Sequence, residues 1–270
     1  MAQGLAKTGR SLMQEITSVS NNKIKEAAKL HQKKYRTESG LFLIEGYKPI
    51  FEAFQQKAHI ETVYVTKDHI KKFGFITDKL VVVTDAVMEK ISTTDTKPEA
   101  VAVAEQLKFG TDNIKNKKRI ALIENVKDAG NLGTLIRSAA AFSIDAIVLC
   151  GDTTDVYNPK VVRSTVGALF KIPVVKADLK EVKKVFPSHK FVATVVNHKD
   201  VVKPETIDYK EPFVIMLGSE ADGLTKEALK IADIKTTIPI SSNTESLNLG
   251  VAASILFYIS SKINFEMQTN

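Results

Sequence analysis

Apolar, strand-like runs recur through the second half of the chain at 120–124, 146–150, 172–175, 191–196 and 213–217, with a β-branched run at 234–240. Between them lie stretches of helical spacing: 132–142, a segment after Pro159 carrying Val161, Val162, Val166 and Leu169, then 179–186 and 224–232. Strands that are apolar on both faces need cover on both faces, and helices alternating with them supply it by crossover connections. The pattern therefore restricts this half to an α/β fold on a parallel sheet. In such sheets ligands bind where loops leave the carboxyl ends of the strands.

The loop after 213–217 is the most informative of these. The run Phe213 to Leu217 breaks into Gly218-Ser219-Glu220-Ala221-Asp222-Gly223, and paired glycines let a ligand approach the backbone closely. A second polar loop, 241–245, leads to Leu247-Asn248-Leu249, which opens a long helix with Val251, Ile255, Leu256 and Ile259 on its apolar face. Both loops fall at the same edge of the sheet. Earlier, 125–131 is a polar loop before the helix 132–142, whose buried stripe of Leu132, Leu135, Ile136 and Ala139 leaves Arg137 off the core face.

The first part of the chain differs in charge. Residues 1–119 hold 21 Lys+Arg against 14 Asp+Glu, whereas residues 120–270 hold 17 of each, so the net charge of +7 resides in the first part. From Arg10 to Arg36 the cations Arg10, Lys23, Lys25, Lys29, Lys33, Lys34 and Arg36 face only Glu15 and Glu26. That is a phosphate-facing strip or a solvated helix face. The first ten residues lack apolar periodicity and are expected to be flexible. A helix is expected from Ser20 or Asn21, its N-cap, through Arg36, with Ile24, Ala27, Ala28 and Leu30 inward. Strands at 41–44, 63–65, 80–83 and 101–104, with helices between, complete a compact α/β domain over 1–108. The polar stretch 109–119 is read as a linker before a second domain at 120–270.

Several chemistries lack their residues. One cysteine, Cys150, and five scattered histidines give no ligand-spaced cluster for zinc, and no metal is expected. No G-x-S-x-G elbow, dinucleotide glycine fingerprint or P-loop is present. The lone cysteine, the absence of a cationic apolar leader and the absence of a membrane-length apolar run lead to the expectation of a soluble cytoplasmic protein.

The order GSEADGL at 218–224, IPI at 238–240 and SLNLGVA at 246–252, preceded by NVKDAGNLGTLIRSAAAF at 125–142 and NPKVVRSTVGALFKIPV at 158–174, resembles the motifs of the SpoU-type (TrmH-like) RNA ribose 2′-O-methyltransferases, a branch of the SPOUT superfamily. ITSVSNNKIKEAAKLHQKKYR and FLIEGYKPIFEA resemble that family's N-terminal substrate-binding domain, a small fold similar to a ribosomal-protein RNA-binding module. The resemblance implies a deep trefoil knot around a binding site for S-adenosylmethionine, ribosomal RNA as substrate and a homodimer packed through the knotted domain. It places catalytic roles on Asn131, Arg137, Glu220, Ser246 and Asn248, with N-capping as the structural role of Ser246 and Asn248. Cofactor contacts fall on Gly218, Ile238 and Leu247, with Thr194 and Val195 as pocket walls. RNA phosphate contacts are expected at Lys33, Lys34 and Arg36, and at Arg163 unless it forms a structural ion pair. The family's proline in the first motif is replaced by Ala129, which alters loop stiffness. The alternatives are an RNA-binding or ribosome assembly factor of the same fold, a tRNA methyltransferase, and methylation of a small molecule.

Overall fold

The computed structural model describes residues 13–196 and 198–268, so Arg10, the first ten residues and Asn197 lie outside the described residues. Two sheets organise the chain. The first has five strands, β1 (Gln14–Ile16), β2 (Leu41–Glu45), β3 (Ile60–Thr66), β4 (Leu80–Val83) and β5 (Ala100–Glu105), in the order β1-β4-β3-β5-β2. Strands β1, β4 and β3 are parallel, and β5 runs antiparallel to both β3 and β2. Helices α1 (Asn22–Lys29), α2 (Lys33–Ser39), α3 (Tyr47–Gln55) and α4 (Asp85–Ile91) flank it. Asn21 caps α1 by accepting from the Lys23 amide at 2.9 Å. The helix expected to run from there through Arg36 breaks at Leu30–Gln32, because the Leu30 and His31 carbonyls turn to meet the buried Arg36 side chain.

The second sheet has six strands, all parallel: β6 (Arg119–Glu124), β7 (Ala146–Cys150), β8 (Val174–Lys176), β9 (Lys190–Thr194), β10 (Phe213–Leu217) and β11 (Ile234–Thr236), in the order β11-β9-β10-β6-β7-β8. Its helices are α5 (Ala129–Ala141), α6 (Pro159–Thr165), α7 (Leu179–Val185), α8 (Lys226–Lys230) and α9 (Leu249–Gln268). The four central strands are buried almost without exception, as runs apolar on both faces require. Two expected elements are shorter than their patterns. The helix after Pro159 stops at Thr165, where Val166 and Gly167 turn left-handed (φ 51° and 91°). The run 234–240 leaves the sheet after Thr236, because its neighbour β9 ends at Thr194, directly opposite, and Pro239 has no N–H to offer a ladder.

A single apolar cluster runs from the first sheet (Phe42, Ile44, Val63) through α5 and α6 into the second (Ala121, Ile147, Ile215), so the two units share a core. The segment expected to be a linker is anchored to the second sheet: Ile114 is fully buried in a separate apolar cluster with Ile120, Leu122 and Val148, and Arg119 already belongs to β6.

Candidate functional site

Register puts the loops of the second sheet at one level. Leu217 pairs with Ile123, Met216 with Ala193, and Thr194 with Thr236, so β6, β10, β9 and β11 end side by side. The loop after β10 closes on itself, the Ser219 and Gly223 amides each donating to the other's carbonyl at 3.1 Å. A Cβ on Gly218 would lie 2.0 Å from the Gly223 carbonyl carbon and 2.2 Å from the Leu224 nitrogen, so any other residue there would displace the loop. Glu124, an acid 4% exposed at the end of β6, accepts from the Thr225 amide and hydroxyl, both at 2.8 Å. Thr225 in turn caps α8, so Glu124 ties the glycine loop to the adjacent strand. The signal for Glu124 in the sequence is an acid closing an otherwise apolar strand.

Asn131, Glu220 and Asn248 meet at this edge, brought from the first turn of α5, the glycine loop and the residue before α9. The Asn248 amide donates to Asn131 Oδ1 at 2.8 Å, and Asn131 Nδ2 donates to Glu220 Oε1. Asn248 Oδ1 accepts from the Val251 amide at 3.2 Å, which makes Asn248 the cap of α9. Ser246, expected to share that capping role, is exposed and contributes only its carbonyl, to the Thr244 hydroxyl at 3.2 Å. The hydrogen bonds run in one direction, from the α9 N-terminus through two amides to a carboxyl group whose second oxygen retains acceptor capacity. Asp128 fixes the start of the chain by accepting from the Asn131 amide at 2.7 Å.

The expected cofactor residues line the same edge. Thr194 donates its hydroxyl to the Met216 carbonyl at 2.8 Å, and the Val195 amide binds the Thr236 carbonyl at 2.9 Å. Ile238 packs against the main core, and Leu247 is half-buried. Residues 237–240 belong to no helix or ladder, so their backbone polar groups are available to a ligand.

Arg137 is not part of this polar chain. It lies about 9 Å along α5 from Asn131 and about a third of a turn around it. It is exposed, has no hydrogen-bond or ion-pair partner among the described residues, and lines a groove of about 230 Å³ with Lys48, Glu52 and Lys171.

Two expected phosphate contacts have other work. Arg36 is 2% exposed; its guanidinium donates to Asp155 Oδ2 at 2.7 and 2.9 Å and to the Leu30 and His31 carbonyls at 2.8 and 2.9 Å. It fastens the first unit to the second and cannot reach RNA. Arg163 donates to the Thr93 hydroxyl at 2.9 Å and lies 3.8 Å from Glu45, the structural alternative to a phosphate contact. Lys33 and Lys34 remain exposed on α2.

Among the described residues, no helix is long and apolar enough to cross a membrane, and no group of three or more His, Cys, Asp or Glu is placed to hold a metal. Fold and site together define a ligand-binding parallel α/β domain carrying a second domain on its flank. Residues 118–258 match the SpoU rRNA Methylase family, and residues 21–102 match the MRM3-like substrate binding domain. The chain is 31% identical to the 23S rRNA (guanosine(2553)-2′-O)-methyltransferase RlmP of Bacillus subtilis, over 91% of this chain and 98% of that protein. It is 28% identical to the 23S rRNA (uridine(2479)-2′-O)-methyltransferase of Streptomyces viridochromogenes, over 86% of each. The crystal structure of an AdoMet-bound rRNA methyltransferase from Sinorhizobium meliloti superposes with a TM-score of 0.84 at 29% identity, covering 93% of this chain and 98% of that one. The chain belongs to the SpoU rRNA methylase family and carries a separate N-terminal substrate-binding domain.

Proposed function

We propose that this protein transfers a methyl group from S-adenosylmethionine to a ribose 2′-hydroxyl of 23S ribosomal RNA. The observation that carries the reading is the Asn248–Asn131–Glu220 chain beside Gly218, in a family with relatives named for that reaction. The residues present fit the cofactor. Gly218 leaves the backbone uncovered, Ile238 and Leu247 offer apolar surface to an adenine face, and the free backbone at 237–240 can read its edge, with Thr194 and Val195 as the wall. When bound, S-adenosylmethionine supplies an electrophilic methyl group for in-line displacement.

What the chain must add is alignment and a path for one proton. Alignment alone is worth roughly 7–11 kcal/mol of barrier. A guanidinium does not lose its proton at ordinary pH, so Arg137 acts by orienting the phosphate next to the target ribose and stabilising the developing alkoxide, with the phosphate relaying the proton. Asn131 and Asn248 hold Glu220 and the glycine loop in place for this.

The separation of Arg137 from that polar chain supports a homodimer in which the arginine of one protomer completes the centre of its partner. Exposed Val251 and Tyr258 on α9 supply apolar surface for such an interface. Trefoil-knotted threading belongs to the same proposal, as the family resemblance implies; α9 packs against α5 although β11, the strand before it, lies at the edge of the sheet. So does a division into a substrate domain at 1–108, a connection at 109–119 and a methyltransferase domain at 120–270, which the family matches at 21–102 and 118–258 support. Lys33 and Lys34, which precede the half-buried Tyr35 in sequence, provide phosphate contacts, and the protein works in the cytoplasm.

The test is transfer of labelled methyl from S-adenosylmethionine to unmodified RNA, followed by nuclease digestion. Label in a nuclease-resistant 2′-O-methyl dinucleotide, lost in Arg137→Ala while cofactor affinity is kept, is the expected result. A wild-type rate in Arg137→Ala removes that residue from the mechanism.

A further inference from the structure

The polar chain at the sheet edge contains no cation, yet a ribose 2′-hydroxyl in RNA stands beside a phosphodiester whose charge must be met. The groove beside Arg137 meets that need. One wall is α3 of the substrate-binding domain, with Lys48 and Glu52; the other carries Arg137 and Lys171, and Ala140 and Ala141 add small apolar surface. Three cations face one acid. Glu52 is 19% exposed at its side chain and pairs with Lys171 at 2.8 Å, which leaves a net formal charge of +2. Lys48 and Arg137 are exposed and have no hydrogen-bond or ion-pair partner among the described residues.

The walls are held at a fixed spacing although they come from two domains. A Cβ on Gly167 would lie 2.7 Å from Glu52 Cβ and 3.5 Å from Pro49 Cα, so α3 rests directly on the left-handed turn after α6. Arg36–Asp155 and Arg163–Thr93 fasten the same pair of domains elsewhere. A concave, rigid groove with several separate cations and a small-residue surface suits a tetrahedral phosphodiester, whose oxygens point to different walls, better than a planar carboxylate held by one arginine fork.

We infer that this groove seats a backbone phosphate of the RNA substrate, held by Lys48 and Lys171 alongside Arg137. The inference rests on the RNA-methylation reading above and extends it. It makes the substrate-binding domain a direct participant: through Lys48 that domain supplies one wall of the seat in which Arg137 works.

The test compares the full-length protein with Lys48→Ala/Lys171→Ala, measuring affinity for an in vitro transcript of 23S ribosomal RNA over a range of salt concentrations. Two lost contacts to single-stranded RNA should make the slope of log Kobs against log salt shallower by about 1.4. Cofactor affinity should not change. Lys48→Arg, tested singly, should keep the wild-type slope because it keeps the charge. Lys180→Ala/Lys184→Ala removes the same charge from exposed positions on α7 and serves as the control. A wild-type slope in the groove variant, or an equal loss in the α7 control, overturns the inference. Methyl transfer by the wild-type protein is measured in parallel: RNA binding without any transfer counts against the enzymatic reading, while the slopes still decide the groove.

Discussion

Removing the Arg36 side chain should unfasten the two domains. Its guanidinium is 2% exposed and gives four hydrogen bonds, two to Asp155 and one each to the Leu30 and His31 carbonyls. Asp155 is itself 17% exposed at the side chain, so Arg36→Ala strands a largely buried acid together with two carbonyls. Breaking a buried pair by removing one partner costs about 3–5 kcal/mol. Set against a total stability of roughly 5–15 kcal/mol, that is a large fraction. For a chain of this size it corresponds to a fall in melting temperature of roughly 6–20 °C. Urea and thermal unfolding of the wild type, Arg36→Ala, Asp155→Ala and the double variant would measure it. Because each single variant orphans the other partner, the double variant should lose less than the two singles added together. If Arg36 instead contacted RNA phosphate, Arg36→Ala would flatten the salt dependence of RNA binding and leave unfolding within about 0.5 kcal/mol of wild type, as surface substitutions usually do. That result would refute the structural role.

Two further outcomes follow from particular contacts. In Gly218→Ala the new methyl would meet the Gly223 carbonyl carbon at 2.0 Å, so the glycine loop must move, at a cost of about 1–3 kcal/mol; calorimetric titration with S-adenosylmethionine should show at least a roughly tenfold weaker Kd, and an unchanged Kd would remove the loop from the cofactor site. Burial pushes the Cys150 thiol from 9.0 up to about 12, and the Tyr157 and Tyr209 hydroxyls from 10.0 up to about 12. The folded state therefore binds more protons than the unfolded state in that window, so the contribution to stability is complete below pH 9 and is lost as pH rises toward 12. Unfolding midpoints that stay level from pH 8.5 to about pH 11 would contradict the burial of these groups.

Much of the second sheet was legible because its information is local. Five-residue apolar runs such as 146–150 and 213–217 form strands whatever lies beyond them, and Gly218 to Gly223 marks a turn by composition alone. Boundaries that depend on a neighbour were not legible. The run 234–240 is β-branched at Ile234, Thr236, Thr237, Ile238 and Ile240, yet it pairs only to Thr236 because β9 ends there. Strand β1 is three residues long and exists only against β4, so its sequence carries no signal. By charge the basic strip forms one face, but charge pattern does not distinguish the exposed Lys33 and Lys34 from Arg36, two positions further along and buried.

The sequence by itself determined the elements and their chemistry: a parallel sheet, loops at its carboxyl edge, and the residue types of a site spread over 125–142 and 218–252. Only the tertiary structure decided which of those residues meet. Asn131 binds Glu220 across 89 residues and Asn248 across 117, while Arg36 finds its acid 119 residues away. Strand register sets the first two encounters and the shared core between the sheets sets the third. Neither is encoded in any local window, because each depends on where the chain returns after several crossovers. For the same reason Arg137, six residues from Asn131 in sequence, faces a different groove: on a helix, separation along the chain fixes direction, and the packing of α3 against the turn after α6 decides what lies in that direction.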